Sequence, residues 1–125
     1  MRSNRRTLLI ACGLVLGAGL ALSRLAPAAP EDDAALVRER CKAFVAAWNA
    51  HDPKSMSATF SSDGDLLDAS GRRAAGREAV EAQFAADHTG TGALRASVLE
   101  VKDEPIRFVT PEVAISDATV EVSGA

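Results

Sequence analysis

Two residue types that build metal and redox sites are nearly missing: the 125-residue chain has two cysteines and two histidines, His51 and His88. Two histidines are too few by themselves for a dedicated metal site. There is no Cys-x-x-Cys, no His-Glu-x-x-His and no Gly-x-Ser-x-Gly, so no metal and no tightly bound cofactor is expected. Gly71 to Glu78 has the glycine spacing of a phosphate-binding loop but lacks its Lys and its Ser or Thr, and it is rejected as one. Aromatic residues make up 4% of the chain, and tyrosine is absent. Acid is missing from the first 24 residues, which hold Arg2, Arg5, Arg6 and Arg24. The rest carries 10 of the 14 basic residues against all 17 acids, a net of −7. A surface that acidic is a poor partner for nucleic acid, where Lys and Arg supply most of the affinity.

The basic start, Met1 to Arg6, precedes the uncharged stretch of residues 7–23, and small residues at Ala26 and Ala28 follow. That order is the signature of a cleaved export signal over residues 1–28, with residues 29–33 as a short linker to a domain at 34–125. The expected location is periplasmic or extracellular. The alternatives are an uncleaved membrane anchor over residues 7–23, the one route to a membrane, and a lipoprotein through Cys12. Cys12 falls in the signal, so the exported product has only Cys41 and no internal disulfide.

Beyond the signal, Val37, Cys41, Phe44, Val45 and Trp48 recur at helical spacing behind the acids Glu31, Asp32 and Asp33. Asn49, His51 and Asp52 end that helix, and Asp52-Pro53 starts a short one whose buried side is Met56 and Phe60. A short strand is expected over Asp65 to Asp68. Gly76 opens a third helix with Val80, Phe84 and His88 on one face. Strands follow over Leu94 to Lys102, Ile106 to Val109 and Val113 to Val122, turning at Thr110-Pro111-Glu112. Helices first and strands last make the fold α+β.

Within this frame, Phe44-Val45-Ala46-Ala47-Trp48-Asn49-Ala50-His51-Asp52, Phe60 with Asp63-Gly64, Gly76-Arg77-Glu78-Ala79-Val80 and the run Ile106 to Ile115 carry a resemblance. The chain resembles the nuclear-transport-factor-2-like superfamily, in particular its exported SnoaL-like domains of unassigned activity, over nearly all of Asp33 to Gly124. The resemblance implies a cone-shaped fold, in which a curved antiparallel sheet wraps N-terminal helices around an apolar pocket. It implies two further strands after Gly124, so that the domain reads as incomplete at its C-terminus, and a homodimer when full length. Phe44, Trp48, Met56, Phe60 and Phe84 are the candidate pocket lining, for a small apolar ligand.

Asp68 falls where the isomerases of the superfamily keep a proton-shuttling carboxylate, and His88 could assist it, which makes these two the candidate catalytic residues. The competing reading of Asp68 is a turn residue bonded to its own backbone, and that of His88 is a cation at a helix C-terminus. Phe44 stands where those isomerases place an oxyanion-stabilising tyrosine. Each missing donor of that kind removes about 3–4 kcal/mol of transition-state stabilisation. Three functions therefore stand open: a binding domain for a small apolar molecule, an enzyme of the cyclase, isomerase or dehydratase type using Asp68 as general base, and a dimerising interaction domain without catalysis.

Overall fold

The computed structural model describes the backbone of residues 6–9 and 30 and all of residues 31–125. The expected signal, linker start and anchor at residues 1–29 lie outside the described residues, apart from that backbone. Residues 6–9 form strand β1 (Arg6–Leu9), antiparallel to a later strand. No described helix is long and apolar enough to cross a membrane.

Helix α1 (Pro30–Asn49) starts at a proline, which lacks the N–H that the first turn leaves unpaired, and continues with Glu31, Asp32 and Asp33. Residues 30–33, expected as linker, are thus its first turn. Val37, Phe44 and Ala47 are buried on its inner face, while Cys41 is only half-buried beside the Ser116 hydroxyl. Helix α2 (Pro53–Ser57) is capped as its sequence suggests, Ser55 N–H donating to the Asp52 carboxylate at 3.1 Å. Met56 is fully buried there, and Phe60 lies in the turn just beyond. Helix α3 (Arg77–His88) buries Val80, Gln83, Phe84 and His88 on the face that the spacing marks out.

Between α2 and α3, strand β2 (Asp65–Leu67) pairs with β3 (Arg73–Ala75), placing Leu66 opposite Ala74 on the buried face. The strand β3 was not expected from the sequence. Residues 73–75 favour helix by propensity, and they extend only because the turn at Asp68 folds them back along β2.

Four strands follow: β4 (Val98–Asp103), β5 (Ile106–Thr110), β6 (Val113–Ser116) and β7 (Thr119–Ser123). The expected strand over Leu94 to Lys102 starts late, because Leu94 to Ser97 is a turn closed by Ser97 N–H on the Leu94 carbonyl. The expected strand over Val113 to Val122 is broken into β6 and β7 at Asp117-Ala118. Pairing is nested, β5 with β6 and β4 with β7. Leu99 faces Val122 and Arg107 faces Ile115, so the partners drift by a single residue across the break. The two pairs are halves of one long hairpin bent in the middle. Pro105 has no N–H to give the ladder there, a register shift precedes it at Val101/Asp103, and Asp117 N–H bridges the bend to the Pro105 carbonyl at 3.1 Å.

The core gathers Phe44, Ala47, Met56, Leu66, Ala74, Val80, Phe84 and Leu99, with Trp48, Phe60, Val120 and Val122 partly buried against it. Helix α1 is fastened to the long hairpin by Asn49. Its side-chain amide donates to the Leu99 carbonyl at 3.1 Å and accepts from the Leu99 N–H at 2.8 Å, as a neighbouring strand would. Asn49→Ala removes both bonds and leaves Leu99 short of partners. It is expected to cost roughly 1–3 kcal/mol, read as a lower urea midpoint at unchanged m-value.

Candidate functional site

The expected pocket residues come together from three places in the chain. Phe44 and Trp48 stand one turn apart on α1, Phe60 follows α2, and Phe84 projects from α3. Phe44 touches all three other rings, at centroid distances of 6.0 Å to Trp48, 6.4 Å to Phe60 and 5.7 Å to Phe84. The rings meet tilted or edge-on, the arrangement their quadrupoles favour. Met56 belongs to the same cluster. Phe44, at the centre of the cluster, brings no hydroxyl.

A histidine pair closes one side of this cluster. His88, in the last turn of α3, is 2% exposed, and its ring sits edge-on to Trp48 at 4.4 Å. Its Nδ1 lies 3.0 Å from Nδ1 of His51, just past the end of α1. His51 holds a left-handed backbone, φ 50°, with its N–H on the Trp48 carbonyl at 2.9 Å. Trp48 in turn donates its indole N–H to the Ser97 hydroxyl at 3.1 Å, and Ser97 passes the chain on to the Leu94 carbonyl at 2.8 Å. Sequence reasoning took His51 only as a residue that ends α1. One signal was available: both histidines of the chain stand at helix C-termini, and such ends can converge.

Asp68 is placed elsewhere, in the turn that joins β2 to β3, with its carboxylate fully engaged. Its Oδ1 accepts from the Ser70 hydroxyl at 2.6 Å and from the Ser70 and Arg72 backbone N–H groups at 2.9 Å. Its Oδ2 accepts from Arg72 Nε at 3.0 Å and Gln83 Nε2 at 3.1 Å. The Ser70 hydroxyl above all, then the bonds from Arg72 and the Ser70 N–H, hold its pKa down at about 2 against the opposing effect of desolvation. A carboxylate so held is a weak base at neutral pH. Arg72 also pairs with Asp87 on α3, so this network ties the β2–β3 turn to the helix turn that carries His88. Asp68 and His88 therefore share a framework of bonds, with no bond between them among those of the described residues.

Other charged side chains are engaged as well. Arg73 pairs with the exposed Asp65, Arg77 donates to the Phe60 carbonyl, and Arg107 lies on the surface 3.8 Å from Asp117. A shallow recess of about 350 Å³ beside the start of α3 is lined by Ser62, Ala75, Gly76, Arg77 and Glu78, none of them from the aromatic cluster. No group of three or more metal-ligating side chains occurs among the described residues.

Comparison with known proteins bears on this geometry. The sequence pattern of the SnoaL-like domain matches residues 41–124. No curated protein matches. Among solved structures, the fold is similar to a domain of unknown function with a cystatin-like fold from Nostoc punctiforme, at a TM-score of 0.68 and 21% identity. The match covers 75% of this chain and 57% of that one, so the chain spans little more than half the length of this structural relative.

Burial first, and the neighbouring His51 second, push the His88 pKa below the ordinary imidazole value of 6.5, with Asp87 pulling the other way. The unfolded chain therefore takes up this proton at a higher pH than the folded one. Stability from His88 is present above pH 6.5 and is lost as pH falls from there toward the lower folded value. Urea unfolding across pH 5 to 8 should show stability rising with pH by at most about 1.4 kcal/mol per unit in that window. His88→Phe should flatten the slope; an equal slope in this variant would assign it to other groups.

Proposed function

The chain belongs to the SnoaL-like domain family of the nuclear-transport-factor-2-like superfamily, and from that premise we propose that it is an exported domain that binds a small apolar molecule at its aromatic cluster. The observation that carries this reading is the convergence of Phe44, Trp48, Phe60 and Phe84, with Trp48 and Phe60 only partly buried. Rings of this kind offer a ligand a large apolar contact at little cost in side-chain entropy.

Binding is favoured over general-base catalysis by the state of the two candidate catalytic groups. Asp68 spends its oxygens on five hydrogen bonds within the turn and on α3, and it lies low in pKa. A base for proton abstraction needs a pKa nearer the working pH and a free oxygen toward the substrate. His88 keeps a nitrogen free, and it belongs to the aromatic cluster and not to the Asp68 turn.

A ligand held at 100 times its dissociation constant stabilises the folded state by about 2.7 kcal/mol. For a domain of this size that is a rise in Tm of roughly 10 °C or more. A thermal-shift screen of neutral ring compounds against the folded protein checks it, and a flat response across the screen sinks the reading. Export is supported by the basic start, the uncharged stretch and the small residues at Ala26 and Ala28. N-terminal sequencing of protein produced from the full chain in an exporting bacterial host should begin at Ala29. Recovery of Met1 would instead leave residues 7–23 as an anchor.

A further inference from the structure

Among the described residues one buried side-chain polar atom has no hydrogen-bond partner, and it is Nε2 of His88. A buried nitrogen left unpaired costs the fold the hydrogen bond to water that it gave up, so such atoms are rare and each calls for a physical reason, a bound water, ion or ligand among them. The rest of the ring is well placed. It stands edge-on to Trp48 at 4.4 Å, near Phe84 at 6.2 Å, and its Nδ1 meets His51 Nδ1 at 3.0 Å.

That last contact constrains the chemistry of the orphan. Two bare nitrogens would repel at 3.0 Å, and so would two N–H groups, so a neutral pair holds one proton between its Nδ1 atoms. When His51 carries it, His88 Nδ1 accepts and His88 Nε2 is an N–H donor. When His88 carries it, His88 Nε2 is a bare acceptor. The two forms differ by more than the shared proton: as it crosses to His88 Nδ1, His88 Nε2 gives up its own proton and His51 Nε2 takes one up, and this paired change inverts what the buried nitrogen offers. The left-handed conformation of His51 is that of a helix C-cap, with its N–H on the Trp48 carbonyl and the Asp52 N–H on the Ala47 carbonyl, and this turn sets its ring beside His88.

We propose that the His51–His88 pair is the polar end of the ligand site, with His88 Nε2 hydrogen-bonding a single oxygen of an otherwise apolar, uncharged molecule. The inference rests on the apolar-binding reading above and specifies its ligand class. A hydroxyl suits the pair best, since it can accept from the N–H form or donate to the bare form. A carbonyl suits only the form in which His51 holds the shared proton. A hydrocarbon leaves the nitrogen as unpaired as before.

The test uses the full chain labelled with ¹⁵N-histidine and three probes of similar size: cyclohexanol, cyclohexanone and methylcyclohexane. Cyclohexanol is expected to move the His88 Nε2 resonance and to bind about 3- to 10-fold more tightly than methylcyclohexane, the worth of one net hydrogen bond. His88→Phe keeps an aromatic ring in place without the nitrogen and should bind the two equally. His51→Asn, which tolerates the left-handed backbone, should shift the His88 nitrogens in the free protein by removing the shared proton. If cyclohexanol and methylcyclohexane bind wild type equally and the Nε2 resonance stays put, the inference falls while apolar binding stands. It falls as well if His88→Phe retains the preference for the alcohol. If none of the probes binds the folded protein, this inference and the apolar-binding reading both fall. Should His88→Phe not fold, the wild-type resonance and the affinity ratio decide the matter without it.

Discussion

The bidentate pairing of the Asn49 side chain with the Leu99 backbone is the joint on which the rest of the architecture depends. A helix end normally leaves carbonyls unpaired, and a strand start leaves an N–H and a carbonyl unpaired. Asn49 supplies one donor and one acceptor from the last residue of α1, so the helix occupies a place beside β4 that another strand could take. Trp48, one residue earlier, reaches Ser97, two residues before Leu99. Two successive side chains thus fix the helix in register with the strand. Nearby, Gly124 has φ 74° and runs so close to Ala96 that a Cβ there would come within 2.6 Å of its carbonyl oxygen. A glycine is needed at that position for the long hairpin to close over the joint.

The other end of the aromatic cluster is set by charge. Asp68 organises its own turn, fastens Arg72, and through Arg72 and Gln83 takes hold of α3. Because Arg72 grips Asp87, the residue adjoining His88, the β2–β3 turn is tied to the last turn of α3. The Asp68 carboxylate, a candidate base in the sequence, is here bound up in structure. The imidazoles are what remain with unspent hydrogen-bonding capacity, which follows from where the surrounding bonds go and not from the identity of the residues alone.

Much of this was legible in the sequence wherever the information was local. The apolar stripe of α1, the Asp52-Pro53 start of α2 and the Val80, Phe84 and His88 face of α3 follow from spacing and capping chemistry. The resemblance to the SnoaL-like domains was carried by the same local runs. What escaped was set by distant partners. Arg73 to Ala75 extend because a turn presses them onto β2, against their own propensity. Val113 to Val122 reads as one strand, yet the opposing arm contains Pro105 and forces a break. His51 and His88 lie 37 residues apart, and although both stand at helix C-termini, local spacing does not say that these two ends meet.

Trp48 is the single tryptophan of the chain. Its indole N–H is bonded to Ser97, its ring meets the edge of His88, and its neighbour is the asparagine that holds β4. The joint between helix and hairpin, the aromatic cluster and the imidazole pair therefore converge on one intrinsic fluorophore. Its emission is uncontaminated by tyrosine, which the chain lacks. Occupancy of the cluster, a proton arriving on the neighbouring ring and loosening of the hairpin each alter a different flank of the same indole. The protein carries an optical probe at the point where its structural and chemical events meet, without any label being attached.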